Sequence, residues 1–209
     1  MCIEIENYKQ HDLFNYFDYN QIDTDAEDLL NTLLNNPEYN LKLNKRRVPV
    51  MEIAKVLGFN IYTTKFNDYH IQATIGISNL LIDKYKSDKV IILSSEYTDE
   101  EILFSLCYEL AHYIYDSNPS DEYSHTHRIN DIEPRTIRFA DALLMPITSF
   151  KEAYTELSHN INDPALLIHA LSNTFNAPQV AVQRRLNQLF HLHQNPHLYQ
   201  AYYLYQYHN

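Results

Sequence analysis

The chain has 209 residues, of which 45% are hydrophobic and 21% charged, a composition that excludes a disordered chain and fits one globular domain. Its formal net charge of −11 makes binding to nucleic-acid phosphates or to anionic membrane surfaces unfavourable. Two cysteines, no signal-peptide pattern and no run of about 20 apolar residues lead us to expect a cytoplasmic protein without a membrane partner.

The first half of the chain is predicted to contain two helices and a small sheet. An apolar stripe indicates a helix over residues 24–34. Pro49 near a first turn and Gly58 just past the end indicate a second helix over residues 48–57. Three runs rich in β-branched and aromatic residues then predict strands over residues 60–66, 71–77 and 90–93.

The second half is predicted to be helical. Its central helix, residues 98–115, is apolar around most of its circumference, which is typical of a helix inside the fold. The polar residues 117–131 are expected to form a loop. Further helices are predicted over residues 134–145, 148–157, 163–175 and 178–189. Strands in one block and helices in another indicate an α+β fold, with a small antiparallel or mixed sheet packed on a helical bundle.

Composition divides the chain into three parts. We expect an N-terminal extension over residues 1–20, one domain over residues 21–190, and a tail over residues 191–209 that is rich in tyrosine and histidine. Histidines in such a tail bind metals adventitiously, and tyrosines suit a partner surface. A tail packed on its own domain is equally compatible with the sequence.

The central helix carries the motif Tyr108-Glu109-Leu110-Ala111-His112. In zinc peptidases, His-Glu-x-x-His places two imidazoles on one helical face, with the glutamate beside them as general base. Glu109 and His112 keep the spacing of the base and the second ligand, whereas Tyr108 stands at the first ligand position. A Glu-x-x-His pair arises often by chance, so its surroundings decide its weight.

Two segments together resemble the ImmA/IrrE family of bacterial and phage metallopeptidases. Residues 104–112, Phe-Ser-Leu-Cys-Tyr-Glu-Leu-Ala-His, are similar to the family's Phe-Thr-Leu-Ala-His-Glu-Leu-Gly-His helix. Residues 135–146 end in Phe-Ala-Asp-Ala-Leu-Leu-Met-Pro, the most specific part of the resemblance, which runs from about residue 25 to 190. The resemblance implies a zincin-like core and a zinc endopeptidase that cleaves helix-turn-helix repressors of phage, mobile-element or stress genes.

The same resemblance implies ligand positions at which this chain carries other residues. Tyr108 replaces the first histidine, and Arg135 replaces a glutamate four residues before Phe139. This leaves His112 as the expected metal ligand and Glu109 as the expected catalytic residue. One imidazole cannot hold zinc where three protein ligands are needed, and a phenol with a pKa of about 10 ligates only as the costly phenolate.

Nearby side chains offer few replacements for the lost ligands. Glu133 is expected to face away, since two residues on an ideal helix separate it from Arg135 by about 200°. His125 and His127 would reach the site from a loop, where histidines are usually solvated. We therefore expect no cofactor, with zinc bound only if these side chains rescue the site. Without zinc, Glu109 needs another cation, which predicts a Glu109–Arg135 contact or, alternatively, an Arg135 turned to solvent.

Three functions are compatible with these residues. The first is a pseudo-peptidase, a degenerate regulatory protein that binds a helix-turn-helix repressor or a related phage or mobile-element partner. The second is an active zinc endopeptidase that cleaves a repressor with an altered ligand set, and the third is a non-enzymatic interaction protein. Whether the chain is an enzyme stays open. Its charge disfavours direct nucleic-acid binding, although Arg184 and Arg185 on the last helix would suit base contacts.

Overall fold

The computed structural model describes residues 19–118, 121–131 and 133–191, and the structural statements below concern these ranges. Eight α-helices and a four-stranded sheet lie within them, which confirms the predicted α+β fold. No helix in this part of the chain has both the length and the apolar character that crossing a membrane requires. The predicted N-terminal extension and tail fall almost wholly outside the described residues, so the division into three parts stays a prediction.

The helices and strands follow one another as α1 Tyr19–Asn35, α2 Val50–Val56, β1 Asn60–Thr64, β2 Ile71–Ile77, α3 Ile82–Tyr85, β3 Lys89–Ser94, α4 Asp99–Asp116, β4 Tyr123–Arg128, α5 Pro134–Leu144, α6 Ile147–Ser158, α7 Pro164–Phe175 and α8 Gln179–His191. Every predicted helix and strand is present, with α1 beginning earlier than predicted. The sequence did not predict the short helix α3 or the strand β4. The predicted loop over residues 117–131 is therefore wrong in its centre.

The sheet is mixed, with the strand order β1-β3-β2-β4. β1 runs parallel to β3, and β2 pairs antiparallel with both β3 and β4. In the β2–β4 pair, Ala73 lies opposite His127 and Ile75 lies opposite His125. Since side chains two residues apart share one face of a strand, both histidines point to the face that β2 buries.

Helix α4 occupies the centre of the fold, as its apolar circumference predicts. Each residue from Ser105 to Tyr115 is buried, because the sheet, α2 and α5 pack around this segment. The helix begins with a capping box, in which Thr98 and Glu101 satisfy each other's free backbone N–H groups. This packing places the motif residues of α4 inside the protein.

Buried ion pairs attach α8 to the core. Arg184 donates from Nε and Nη2 to the Asp141 carboxylate at 2.9 and 2.8 Å. Arg185 Nη1 lies 2.8 Å from Oδ1 of Asp23, and the same carboxylate accepts a hydrogen bond from Arg138 Nε at 2.9 Å. Arg184 and Arg185 are 4% and 0% exposed, so their guanidinium groups are held inside the protein.

Candidate functional site

The predicted site residues lie where α4, β4 and the start of α5 meet. α4 supplies Tyr108, Glu109 and His112, and α5 supplies Arg135 in its first turn. The rings of Tyr108 and His112 are neighbours, with centroids 5.2 Å apart. Strand β4 adds His125 from its inner face, so the site receives imidazole groups from both the helix and the sheet.

Glu109 is fully buried and is bonded to β4. Its Oε2 lies 3.0 Å from His125 Nδ1, and its Oε1 accepts a hydrogen bond from the backbone N–H of His127 at 3.2 Å. Arg135 instead hydrogen-bonds Asp116, so the predicted Glu109–Arg135 contact is wrong, and so is the alternative of an Arg135 turned to solvent. The reason is the unforeseen strand, which brings an imidazole and a backbone amide to Glu109.

The hydrogen bond and the charge of Glu109 raise the pKa of His125. Burial alone would lower the pKa of the His125 imidazole, but the hydrogen bond and the charge of Glu109, together with Glu133, hold that pKa above its usual value. The His125 ring also stacks on His112, with centroids 3.7 Å apart. The two imidazoles therefore form a pair whose Nδ1 atoms both face carboxylates.

His112 is held by its own helix. Its Nδ1 lies 2.6 Å from Oδ2 of Asp116, one helical turn further along α4. Burial opposes the charged form of Asp116, but the hydrogen bond to His112 and the charge of Arg135 outweigh it and keep the pKa of this carboxyl below its usual value. His112 Nε2 is buried 3.3 Å from Oε2 of Glu133, yet the two atoms are not aligned as a hydrogen bond.

Glu133 faces the site, which corrects the expectation that it faces elsewhere. It is the N-cap of α5, with the extended backbone angles φ −117° and ψ 99°. A helical wheel does not describe a residue that precedes the first helical position, so its angle from Arg135 was misjudged. Glu133 Oε1 lies 3.9 Å from His125 Nε2, and its Oε2 is the atom beside His112.

Tyr108 fills the first ligand position of the motif with a protonated phenol. Its ring stacks on His127, with centroids 3.9 Å apart and planes inclined by 10°, and its buried hydroxyl has no hydrogen-bond partner among the described residues. Burial, followed by the charges of Glu133 and Asp131, raises the pKa of Tyr108 above its usual value. Burial also lowers the pKa of His127 to about 3, so this imidazole is neutral.

The three ligand positions that the resemblance implies do not fit zinc. The phenol of Tyr108 stays protonated, and the guanidinium of Arg135 has no lone pair to offer. His112 alone keeps a ligating atom. Among the described residues, however, His112, His125 and Glu133 each place a possible ligand atom within 4.8 Å of the others.

Sequence reasoning missed Glu133 as a member of the site and placed His125 in a solvated loop. The alternation Tyr-Ser-His-Thr-His-Arg was a signal for β4, since its second, fourth and sixth residues are polar and its histidines share one face. Pro134 was a signal for Glu133, because proline at the first helical position makes the preceding residue the N-cap.

Comparison with known proteins identifies the family. The family model Peptidase_M78, described as the IrrE N-terminal-like domain, matches residues 54–187, which is more than half of the 209-residue chain. The match includes α4, β4 and α5, and it confirms the resemblance to the ImmA/IrrE family. Neither a curated protein nor a solved structure matches the chain. The metallopeptidase-like fold built around α4 and the residues matched therefore agree, and the chain belongs to the family of the IrrE N-terminal-like domain.

Proposed function

We propose that this chain is a pseudo-peptidase, a regulatory protein that keeps the metallopeptidase-like fold and binds a protein partner without cleaving it. One observation carries the proposal: Glu109, the residue at the position of the general base, is 0% exposed and has both carboxylate oxygens bonded within the protein. A general base has to come within hydrogen-bond reach of the water that it activates. Glu109 instead binds strand β4 through His125 and the backbone N–H of His127.

The replaced ligands support the same conclusion. Catalytic zinc sites use three protein ligands and keep a fourth position open for water. Here a protonated phenol and a guanidinium occupy two of the three family positions, and Arg135 is bonded to Asp116. The fold around these positions is kept, which favours a role in binding over a role in catalysis.

The proposed partner is a helix-turn-helix repressor or a related phage or mobile-element protein, and the proposed location is the cytoplasm. The family resemblance supports this partner class, because the surface that a peptidase offers its substrate can outlast the loss of hydrolysis. The net charge of −11 fits the same view, since the chain would reach DNA only through a partner that binds DNA itself.

An active zinc endopeptidase with an altered ligand set is the second candidate. The convergence of His112, His125 and Glu133 favours it, because these side chains offer three ligand atoms. The position of Glu109 argues against it, because the carboxylate that would activate water is bonded to His125.

The two candidates differ in what happens to the repressor. Purified chain, supplied with zinc, would be mixed with helix-turn-helix repressors of the same genome and followed by size-exclusion chromatography and mass spectrometry. We expect a stoichiometric complex that contains an intact repressor. Cleavage by the wild-type chain that is abolished in Glu109→Gln would overturn the proposal and establish the endopeptidase. If the chain neither forms a complex with any of these repressors nor cleaves one, the proposed partner class is refuted.

A further inference from the structure

A cluster of two imidazoles and one carboxylate lies beside Glu109, and His112 is its one residue at a ligand position that the family resemblance implies. From this geometry we propose that His112, His125 and Glu133 together bind one zinc ion. The three residues come from α4, β4 and the N-cap of α5. The inference goes beyond the proposed function, because it concerns a metal that links these elements rather than a partner.

The distances suit a zinc ion after small side-chain movements. His112 Nε2 and His125 Nε2 lie 3.3 and 3.9 Å from the two carboxylate oxygens of Glu133, and the possible ligand atoms all lie within 4.8 Å of one another. Donor atoms around tetrahedral zinc are about 3.4 Å apart, given zinc–ligand bonds of about 2.1 Å. The Glu133 side chain is 46% exposed and accepts one side-chain hydrogen bond, from Oγ1 of Thr136 at 3.3 Å, so the shift replaces only this contact.

His112 and His125 each have one ring nitrogen fixed by a carboxylate, as ligating histidines usually do. A ligating histidine usually has its second ring nitrogen bonded to a carboxylate or carbonyl, which fixes the tautomer and the ring. Asp116 holds Nδ1 of His112 at 2.6 Å, and Glu109 holds Nδ1 of His125 at 3.0 Å. This leaves each Nε2 directed towards Glu133, and the buried Nε2 of His112 has no hydrogen bond to satisfy it.

The local charge favours a divalent cation. The carboxylates of Glu109, Asp116 and Glu133 lie beside the two imidazoles, and the guanidinium of Arg135 pairs with Asp116, which leaves the negative charges of Glu109 and Glu133 facing the imidazoles. A zinc ion would neutralise them. Two protonated imidazoles would do the same, and this metal-free arrangement is the competing explanation that the experiment has to exclude.

Such a metal would stabilise the fold, with water at the fourth coordination position that three protein ligands leave open. Asp116 would orient His112, and Glu109 would orient His125. The carboxylate at the position of the general base would thus bond to a ligand and not to the ion itself. The ion would join α4, β4 and α5, three consecutive elements of the chain. Because it binds the folded chain, zinc should raise the melting temperature as its concentration rises.

The test measures zinc in the purified, untagged chain by elemental analysis and by the shift of the melting temperature on zinc addition. We expect about one equivalent of zinc and a rise in melting temperature, both lost in Glu133→Gln and in His125→Ala. The Glu133→Gln variant is the cleaner of the two, because its half-exposed side chain makes no capping hydrogen bond. Asp116→Asn should weaken zinc binding about 10–100-fold, as loss of an orienting carboxylate does.

Two control variants separate this site from adventitious binding. His169→Ala removes an exposed histidine far along the chain from the cluster and should leave the zinc content unchanged. A variant with His193, His197 and His208 replaced by alanine tests the histidine-rich tail and should still bind one equivalent.

Three results would overturn the inference: a wild-type chain without zinc, a Glu133→Gln variant that binds zinc as tightly as the wild type, or zinc lost with the tail histidines. The outcome is separate from that of the proposed function. Repressor cleavage would refute the pseudo-peptidase, whereas only the metal measurements decide on the zinc site.

Discussion

Oε2 of Glu109 and Nδ1 of His125 lie 3.0 Å apart, and this contact ties the central helix α4 to the edge strand β4. The second carboxylate oxygen accepts the backbone N–H of His127, so both oxygens of Glu109 hold the strand. A carboxylate at the motif position for water activation thus stabilises the packing of helix against sheet. Replacing Glu109 should therefore lower the stability of the fold, even in the absence of any substrate.

Glu109→Gln should lower the free energy of unfolding by about 2 kcal/mol. The amide keeps the shape of the carboxylate but loses the charge, and a hydrogen bond to a charged group contributes about 1.5–3 kcal/mol. Urea denaturation followed by circular dichroism measures the change.

The matched control for this substitution is Glu101→Gln in the same helix. Glu101 Oε2 accepts the backbone N–H of Thr98 at 2.9 Å in the capping box, where glutamine serves as well as glutamate. We expect a change below about 0.5 kcal/mol, because glutamine keeps the hydrogen bond of the capping box. Equal losses at the two positions would contradict the role assigned to Glu109.

Tyr108→Phe should raise the free energy of unfolding by about 1 kcal/mol. The Tyr108 hydroxyl is buried without a hydrogen-bond partner among the described residues, and leaving such a group unsatisfied costs about 1–3 kcal/mol. Phenylalanine keeps the ring that stacks on His127 and removes the unsatisfied hydroxyl. The measurement is the same urea denaturation.

Tyr115→Phe, two turns further along α4, is the control with the opposite expected sign. The Tyr115 hydroxyl donates to Oδ2 of Asp25 at 3.0 Å in a buried setting. Removing it should cost about 2 kcal/mol, because the carboxylate loses a partner inside the protein. A loss of stability in both variants would mean that the Tyr108 hydroxyl is satisfied after all.

Much of the fold was predictable because its elements carry strong local patterns. The strand β2 occupies the predicted residues 71–77, where apolar and polar residues alternate beside a glycine. Helix α3 was missed because its four residues are too few to show a period. Strand β4 was missed because histidines occupy two of its inward-facing positions, and only its pairing with β2 reveals which side chains turn inward.

The candidate site was predictable only as far as its motif. Glu109 and His112 lie three residues apart on one helix, so their spacing is visible in the sequence. The approach of His125 depends on the register between β2 and β4, which no local pattern encodes. Arg135 was expected to pair with Glu109, but it is bonded to Asp116, which follows the motif by one turn and was not considered.

Asp23→Ala should destabilise the protein by about 3–5 kcal/mol. The substitution leaves the guanidinium groups of Arg138 and Arg185, both 0% exposed, without the carboxylate that they share. Removing one partner of a buried ion pair has this cost, because the remaining charge stays buried. Denaturation in guanidinium chloride measures it. Glu156→Gln, at the exposed Arg46–Glu156 pair, is the control, and a similar loss there would contradict the importance of burial.

Cys107 should resist thiol reagents in the folded protein. The side chain is 0% exposed, and burial, followed by the charge of Asp141, raises the pKa of its thiol above the usual value. At pH 8 the thiol therefore stays protonated, and only the thiolate reacts. In a Cys2→Ser variant we expect no reaction with a chromogenic disulfide reagent under native conditions and one equivalent after denaturation. A native rate close to the denatured rate would mean that α4 opens readily, and the buried site beside Cys107 would then be accessible as well.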